Sequence, residues 1–196
     1  MKVRMTGFTI NEKELDKQIG NSKRFQQEAR NLVNNQLNKA KANMIQEFNA
    51  HPVTQELEAG PDGQNMSGTL GGYGNLFSFM GFRSSDNPTK AVRAFLQSFV
   101  KIKKETAKGS LTRDFIIDAP TISDFGFARM PWESGNSWVK SIETGMSSFS
   151  YYMHKAYQAS RAGIGMQIDN KLHSTSSMPK RYMSLILENF RKRLTK

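Results

Sequence analysis

The stretch from Glu12 to Asn49 constrains this chain most, because its apolar residues recur at threes and fours along its whole length. Leu15, Ile19, Phe25, Ala29, Leu32, Val33, Leu37, Ala40, Met44, Ile45 and Phe48 form one stripe at helical spacing. Asn11 offers an N-cap, and Glu12, Glu14 and Asp16 stand where a helix N-terminus favours negative charge. Gly20-Asn21 interrupts the pattern and marks a kink or a break into two helices. The other face is polar and mixed in sign, with Lys13, Lys17, Lys23, Arg24, Arg30, Lys39 and Lys41 set among acids. It reads as the solvated side of a helix that packs on a sheet, rather than as a helix that reads nucleic acid. His51-Pro52 ends it, since proline drives the residue before it out of the α region.

The rest of the chain is expected to supply that sheet. Residues 2–10 alternate, with Val3 and Met5 apolar and Phe8 and Ile10 following, and read as a strand. Residues 51–75 carry Gly60-Pro61-Asp62-Gly63, Ser67-Gly68-Thr69-Leu70 and Gly71-Gly72-Tyr73-Gly74, and read as a long glycine-rich loop. Loops of that length tend to be functional or to order against a partner. Leu76, Phe77, Phe79, Met80 and Phe82 then suggest a strand apolar on both faces, either central or paired with a neighbouring subunit. Asn87-Pro88 opens a short helix to about Leu96. Residues 98–104, 111–118 and 121–129 read as further strands, with Pro120 a separator and Gly126 a bulge. Pro179 opens a last helix from Lys180 to about Leu194, with Tyr182, Leu185, Ile186, Phe190 and Leu194 on one side. The class is therefore α+β: an antiparallel β-sheet meander packed by the long N-terminal helix, with a short C-terminal helix. At 196 residues the chain suits a single domain divided as 1–50, 51–75, 76–130 and 131–196.

Both tryptophans, Trp132 and Trp138, lie between the expected sheet and the C-terminal helical part. Trp138, Val139 and Ile142 suit a short helix that Gly145 ends or bends. Two such rings are core anchors or interface anchors, and the segment's position favours Trp138 inward and Trp132 nearer the surface. Residues 146–158, rich in aromatic side chains, read as a continued helix, and residues 165–168 as a short strand.

No catalytic constellation stands out. His51, His154 and His173 lack metal-site spacing, and with no cysteine a tetrahedral zinc site would need carboxylates. Gly71-Gly72-Tyr73-Gly74 lacks the Lys-Ser/Thr of a phosphate loop. Asp114, Asp118 and Asp124 lie on neighbouring expected strands, where they read as solvent-facing partners of Lys101, Lys103 and Lys104. No cofactor is called for. The absence of cysteine, of a signal-peptide core and of any membrane-length apolar run points to synthesis in a reducing cytoplasm.

The net charge of +11 implies attraction to polyanions. No sequence-reading motif accompanies it, so what survives is contact with a nucleic-acid backbone regardless of sequence. The basic candidates for facing DNA are Lys101, Lys103 and Lys104, and Arg191, Lys192 and Arg193. The last three also suit a helix C-terminus, where the dipole favours cations.

Four short motifs resemble the neck or tail-completion (minor tail) proteins of long-tailed bacteriophages. They are His51-Pro52-Val53-Thr54 after the long helix, Ser67-Gly68-Thr69-Leu70, Trp138-Val139 through Glu143-Thr144-Gly145, and Met178-Pro179-Lys180-Arg181-Tyr182 entering the last helix. In that family the Pro-Val and Gly-x-Leu motifs lie almost side by side, whereas here a longer insert separates them. The resemblance implies a non-enzymatic, ring-forming virion subunit at the head–tail junction. It would be made in the host cytoplasm, touch other neck, connector and tail proteins, and line packaged DNA with basic residues. Interface candidates are Trp132, Trp138, Leu76, Phe77, Phe79 and Phe82. The alternative is a non-sequence-specific nucleic-acid-binding protein, and the third reading is an enzyme assembled from scattered residues.

Overall fold

The computed structural model describes residues 11–70, 75–131, 135–147, 176–177 and 180–195. The strands expected over 2–10 and 165–168, the Gly71–Gly74 run, Trp132, His154 and His173 lie outside the described residues, as does most of the helix expected over 146–158. The chain divides into two compact units, one of residues 1–39 and 101–118, the other of residues 40–100 and 119–196. Helix and strand are mixed, and a long N-terminal helix is present.

In the first unit, α1 (Glu12–Asn21) begins at Asn11, whose side chain accepts the Glu14 N–H. It ends at Asn21, within the expected Gly20-Asn21 break. Ser22 is extended, and its hydroxyl accepts the Phe25 N–H to open α2 (Lys23–Ala50). Gly20 sits inside α1 for a different reason: a Cβ there would stand 1.6 Å from the Ser110 carbonyl oxygen. Only glycine permits that approach. Ser110 belongs to the turn between β1 (Lys101–Ala107) and β2 (Arg113–Asp118), which pair antiparallel with a bulge between Ile102 and Lys104. On the hairpin's inner face Ile102, Glu105, Arg113, Phe115 and Ile117 are half-buried. Glu105 holds that face to its surroundings by accepting from Arg30 of α2 at 2.6 Å and from Arg113. Those guanidinium hydrogen bonds, Arg30 foremost, hold the Glu105 carboxyl below its usual range. Leu37 is the one large side chain of this unit's described residues that is buried.

The rest of the buried apolar core belongs to the second unit. There His51 ends α2 and at once starts α3 (Pro52–Glu58), its Nδ1 accepting the Val53 N–H at 3.2 Å with Pro52 at the first helical position. The glycine-rich loop expected from residue 51 is thus helix up to Glu58, followed by a 3₁₀ turn at Gly60–Asp62. The sequence signal at His51-Pro52 stops a helix and starts one equally well.

The strand expected over Leu76–Phe82 is instead one helical turn, α4 (Leu76–Phe79), capped by Asn75, whose side chain accepts the Ser78 N–H at 2.8 Å. The same amide donates to the carbonyls of Gly60, Pro61 and Gly63 at 2.6–3.2 Å. Gly81, at φ 76°, turns the chain out in the left-handed region. Next, α5 (Pro88–Phe99) starts at Asn87 and outruns its expected end, so the following strand begins at Lys101 rather than Ser98.

Residues 121–129 also correct the expectation of a strand: Ile122–Phe127 is 3₁₀ helix. Thr121-Ile122-Ser123-Asp124 is a capping box, in which the Asp124 carboxylate accepts the Thr121 N–H at 2.7 Å, and that bond lowers its pKa. With two expected strands helical, the meander shrinks among the described residues to the β1–β2 hairpin and one short pair. That pair joins β3 (Met146–Ser147) to β4 (Ser176–Ser177), so the helix expected from Met146 is strand at its first two residues. Before it, α6 (Trp138–Thr144) ends at Gly145, φ 82°, as its sequence suggests. The last helix, α7, spans Met183–Leu194.

Candidate functional site

Tyr182 organises the second unit. Its ring is fully buried, stacked on Trp138 at 6.3 Å, 4.7 Å from His51 and 6.1 Å from Phe48. Its hydroxyl meets the Thr54 hydroxyl at 2.7 Å, and Thr54 is itself buried on α3. Burial pushes the phenol pKa far up, so the group stays neutral.

Glu143, Glu56, Lys180 and His51 around Tyr182 each bond to backbone. Glu143, near the end of α6, accepts the N–H groups of Tyr182 at 3.1 Å and Ser184 at 2.7 Å, and the Ser184 hydroxyl at 2.7 Å. A carboxylate from elsewhere in the chain thereby caps α7, whose own entry residues lack a capping side chain. Glu56 is buried on α3 and divides its two oxygens between the N–H of Ser67 at 2.7 Å and that of Leu76 at 2.6 Å. It pins both ends of the segment between them. Lys180 donates its ammonium to the Ser67 carbonyl and its N–H to the Ile142 carbonyl at 2.9 Å. His51 is half-buried, and burial first, then the Lys180 charge, lowers its pKa, against an opposing pull from Glu143.

The four motifs singled out in sequence therefore meet within the second unit. Thr54 of the first bonds Tyr182 of the fourth, Ser67 of the second accepts from Lys180 of the fourth, and Trp138 and Glu143 of the third hold Tyr182. Met178 and Pro179 fall outside the described residues. Sequence reasoning missed Glu56 and Glu143 as anchors. Glu56 was within reach, because at helical spacing it shares a face with Val53 and Leu57. Glu143 carried no local signal, since it caps a helix that starts 40 residues later.

Of the interface candidates, Trp138 points inward, 1% exposed. Leu76 and Phe77 are buried in α4, while Phe79 and Phe82 are half-buried, with Phe82 5.5 Å from Phe77. The basic candidates separate into two kinds. Arg191 donates to the Pro120 carbonyl at 2.9 Å, Lys192 pairs with Glu188 at 2.6 Å, and Arg193 pairs with Glu47. Arg191 and Arg193 tie α7 to Pro120 and Glu47, the Lys192 pair lies within α7, and all three residues stay exposed. Lys101, Lys103 and Lys104 are exposed on β1, where Lys103 meets Asp118 at 3.3 Å and Lys101 and Lys104 have no ion-pair partner among the described residues. Lys103 and Lys104 line a groove of about 420 Å³ with Arg30, Asn34, Ile102 and Glu105. Asp114 pairs with Lys108 at 3.6 Å, so the expected carboxylate–lysine pairing holds for Asp114 and Asp118 with partly different lysines, whereas Asp124 serves as a cap.

Among the described residues no cluster of three or more His, Asp or Glu side chains is arranged to hold a metal ion, and no helix is long and apolar enough to cross a membrane. Comparison with protein-family models, curated proteins and solved structures finds no significant match.

Proposed function

We propose that this chain is a structural subunit of a tailed-phage virion, a ring-forming neck or tail-completion protein at the head–tail junction. The observation that carries the reading is the convergence at Tyr182. Motifs far apart in sequence, each resembling a motif of that family, are bonded to one another by their own side chains. Side chains that serve a scaffold should do this. Side chains that serve catalysis should present an accessible nucleophile, acid or base, yet here Thr54, Glu56 and Tyr182 are buried and engaged with partners.

Neighbours in such an assembly are further copies of this chain, connector-side and tail-side proteins, and packaged DNA; Lys101, Lys103 and Lys104 are exposed cations open to the acids of another copy or to phosphate. The experiment is to tag the chain in infected cells and identify what co-purifies, together with native mass spectrometry of the isolated protein. Connector and tail proteins in the eluate and a closed oligomer are the expected result. An eluate of ribosomes or metabolic enzymes would overturn the reading.

A stand-alone nucleic-acid-binding protein is the second reading, supported by the same three exposed lysines. About three phosphate contacts would give a salt slope of only about −3 in log–log form, and correspondingly weak binding at physiological salt. A steeper slope measured on the isolated chain would favour it.

A further inference from the structure

Both units leave large apolar side chains uncovered: Met66, Phe127 and Leu185 in the second, and in the first Leu32 of α2, 66% exposed, besides those on α1 and the hairpin. Leu15 and Ile19 on α1 are 45% and 41% exposed, and Ile116 on β2 is 50% exposed. Leu111, in the hairpin turn, is exposed as well. These form two separate apolar sites on different elements of one unit, and their surroundings differ in charge.

On α1, at about 100° per residue, Ile19 and Glu12 fall within about 60° of Leu15, with Asp16 about 100° to the same side and Glu14 about 100° to the other. Lys13 and Lys17 fall about 160° away, on the opposite side of the helix. Among the charged side chains of α1, those that rim the apolar spot are therefore acids, with the neutral Gln18 also about 60° from Leu15. Helix-dipole preference explains acids in the first turn, but it does not explain two aliphatic side chains left in water among them. None of Glu12, Glu14 and Asp16 has an ion-pair partner among the described residues.

The outward face of the hairpin has the opposite rim. Ile116 stands directly across from Lys104, and Lys101 across from Asp118, on the same side of the ladder. Asp118 and Asp114 are neutralised by Lys103 and Lys108, which leaves Lys101 and Lys104 as the uncompensated charges around Ile116.

We infer that copies of this chain associate head to tail through these two surfaces. Leu15 and Ile19 of one copy lie on the Ile116 face of the next, with Glu12 and Asp16 against Lys101 and Lys104. A closed ring requires a heterologous contact between two different, mutually complementary patches of the same chain, and these two supply apolar centres with rims of opposite charge. The inference rests on the ring-forming reading above and names the surfaces that such a ring would use.

The test is a charge swap followed by native mass spectrometry and sedimentation at low salt. Lys101→Glu with Lys104→Glu, and separately Glu12→Lys with Asp16→Lys, should each weaken association by at least about tenfold, since each places like charges in contact. All four changes on one chain should restore it. Leu15→Ser should weaken association without altering the circular dichroism spectrum. A wild-type oligomer indifferent to both reversals, or reversals that the four-fold variant does not repair, overturns this contact and leaves the ring reading standing. A wild-type chain that stays monomeric at high concentration and low salt overturns both. Lysine reversal that abolishes DNA retention while association is unchanged assigns the hairpin face to nucleic acid and also overturns the contact.

Discussion

The hydrogen bond between Tyr182 and Thr54 offers a quantitative test of the second unit's architecture. Both hydroxyls are fully buried and lie 2.7 Å apart. Tyr182→Phe removes one and leaves the other in an apolar pocket without a partner, at a cost of about 1–3 kcal/mol. Thr54→Val does the reverse while keeping the side chain's shape, and should cost about the same. The double variant replaces both partners with apolar groups of the same outline, so it should be far less destabilised than the sum of the two, by a coupling of about 0.5–3 kcal/mol. In a chain of this size about 1 kcal/mol shifts Tm by about 2–4 °C, so the single variants should be resolved readily. Urea melts followed by near-ultraviolet circular dichroism give all four corners of the cycle under one condition. Single variants within about 0.3 kcal/mol of wild type, or strict additivity in the double variant, would refute the buried pair and with it the convergence of the motifs.

Glu56→Gln turns an amide nitrogen toward one of two backbone N–H groups that a carboxylate now satisfies, and should cost about 1.5–3 kcal/mol; limited proteolysis should show faster cleavage between residues 59 and 70. Gly20→Ala, which would help an open helix by about 1 kcal/mol, should instead lower stability, because the new methyl meets the Ser110 carbonyl. Hydrogen exchange should speed up over residues 12–21 and 101–118, and unchanged protection there would contradict the close approach. His51 should make the protein acid-sensitive below about pH 6.5. Its folded pKa is lowered, so the unfolded chain binds the proton first, and the His51 contribution, fully present above about pH 6.5, is lost as pH falls toward the folded value. His51→Asn, which keeps a cap, should flatten Tm against pH between about 7 and 5.5, and an identical slope would rule His51 out.

Much of the helical framework was legible in the sequence. The stripe from Leu15 to Phe48, the stop at His51-Pro52, the start at Asn87-Pro88 and the end at Gly145 each depend on periodicity or on one residue's backbone preference, and such signals act within a turn or two. Two of the errors are of one kind. Leu76–Phe82 and Ile122–Phe127 are short and densely apolar, and a run of that length is compatible with a buried strand or a buried helical turn. The caps decide between them: Asn75 with Ser78, and Thr121 with Asp124, satisfy helix-start donors that a strand would have paired with a neighbour.

The residues around Tyr182 show where local reading ends. Its place on the apolar side of the last helix was plain from spacing, and Trp138 was expected inward. That Thr54, Glu56, Glu143 and Lys180 would be the side chains closing the same site was decided by tertiary structure alone. Burial makes an unpaired polar group costly, so the fold selects which carboxylate meets which orphan N–H, up to 41 residues away, and which hydroxyl meets which, 128 residues apart for Thr54 and Tyr182. The charge on the basic tail is the converse case. Composition determined that Arg191, Lys192 and Arg193 would be cationic and spacing set Lys192 one turn from Glu188, whereas only packing decided that Arg191 meets the Pro120 carbonyl and Arg193 meets Glu47, with all three still exposed.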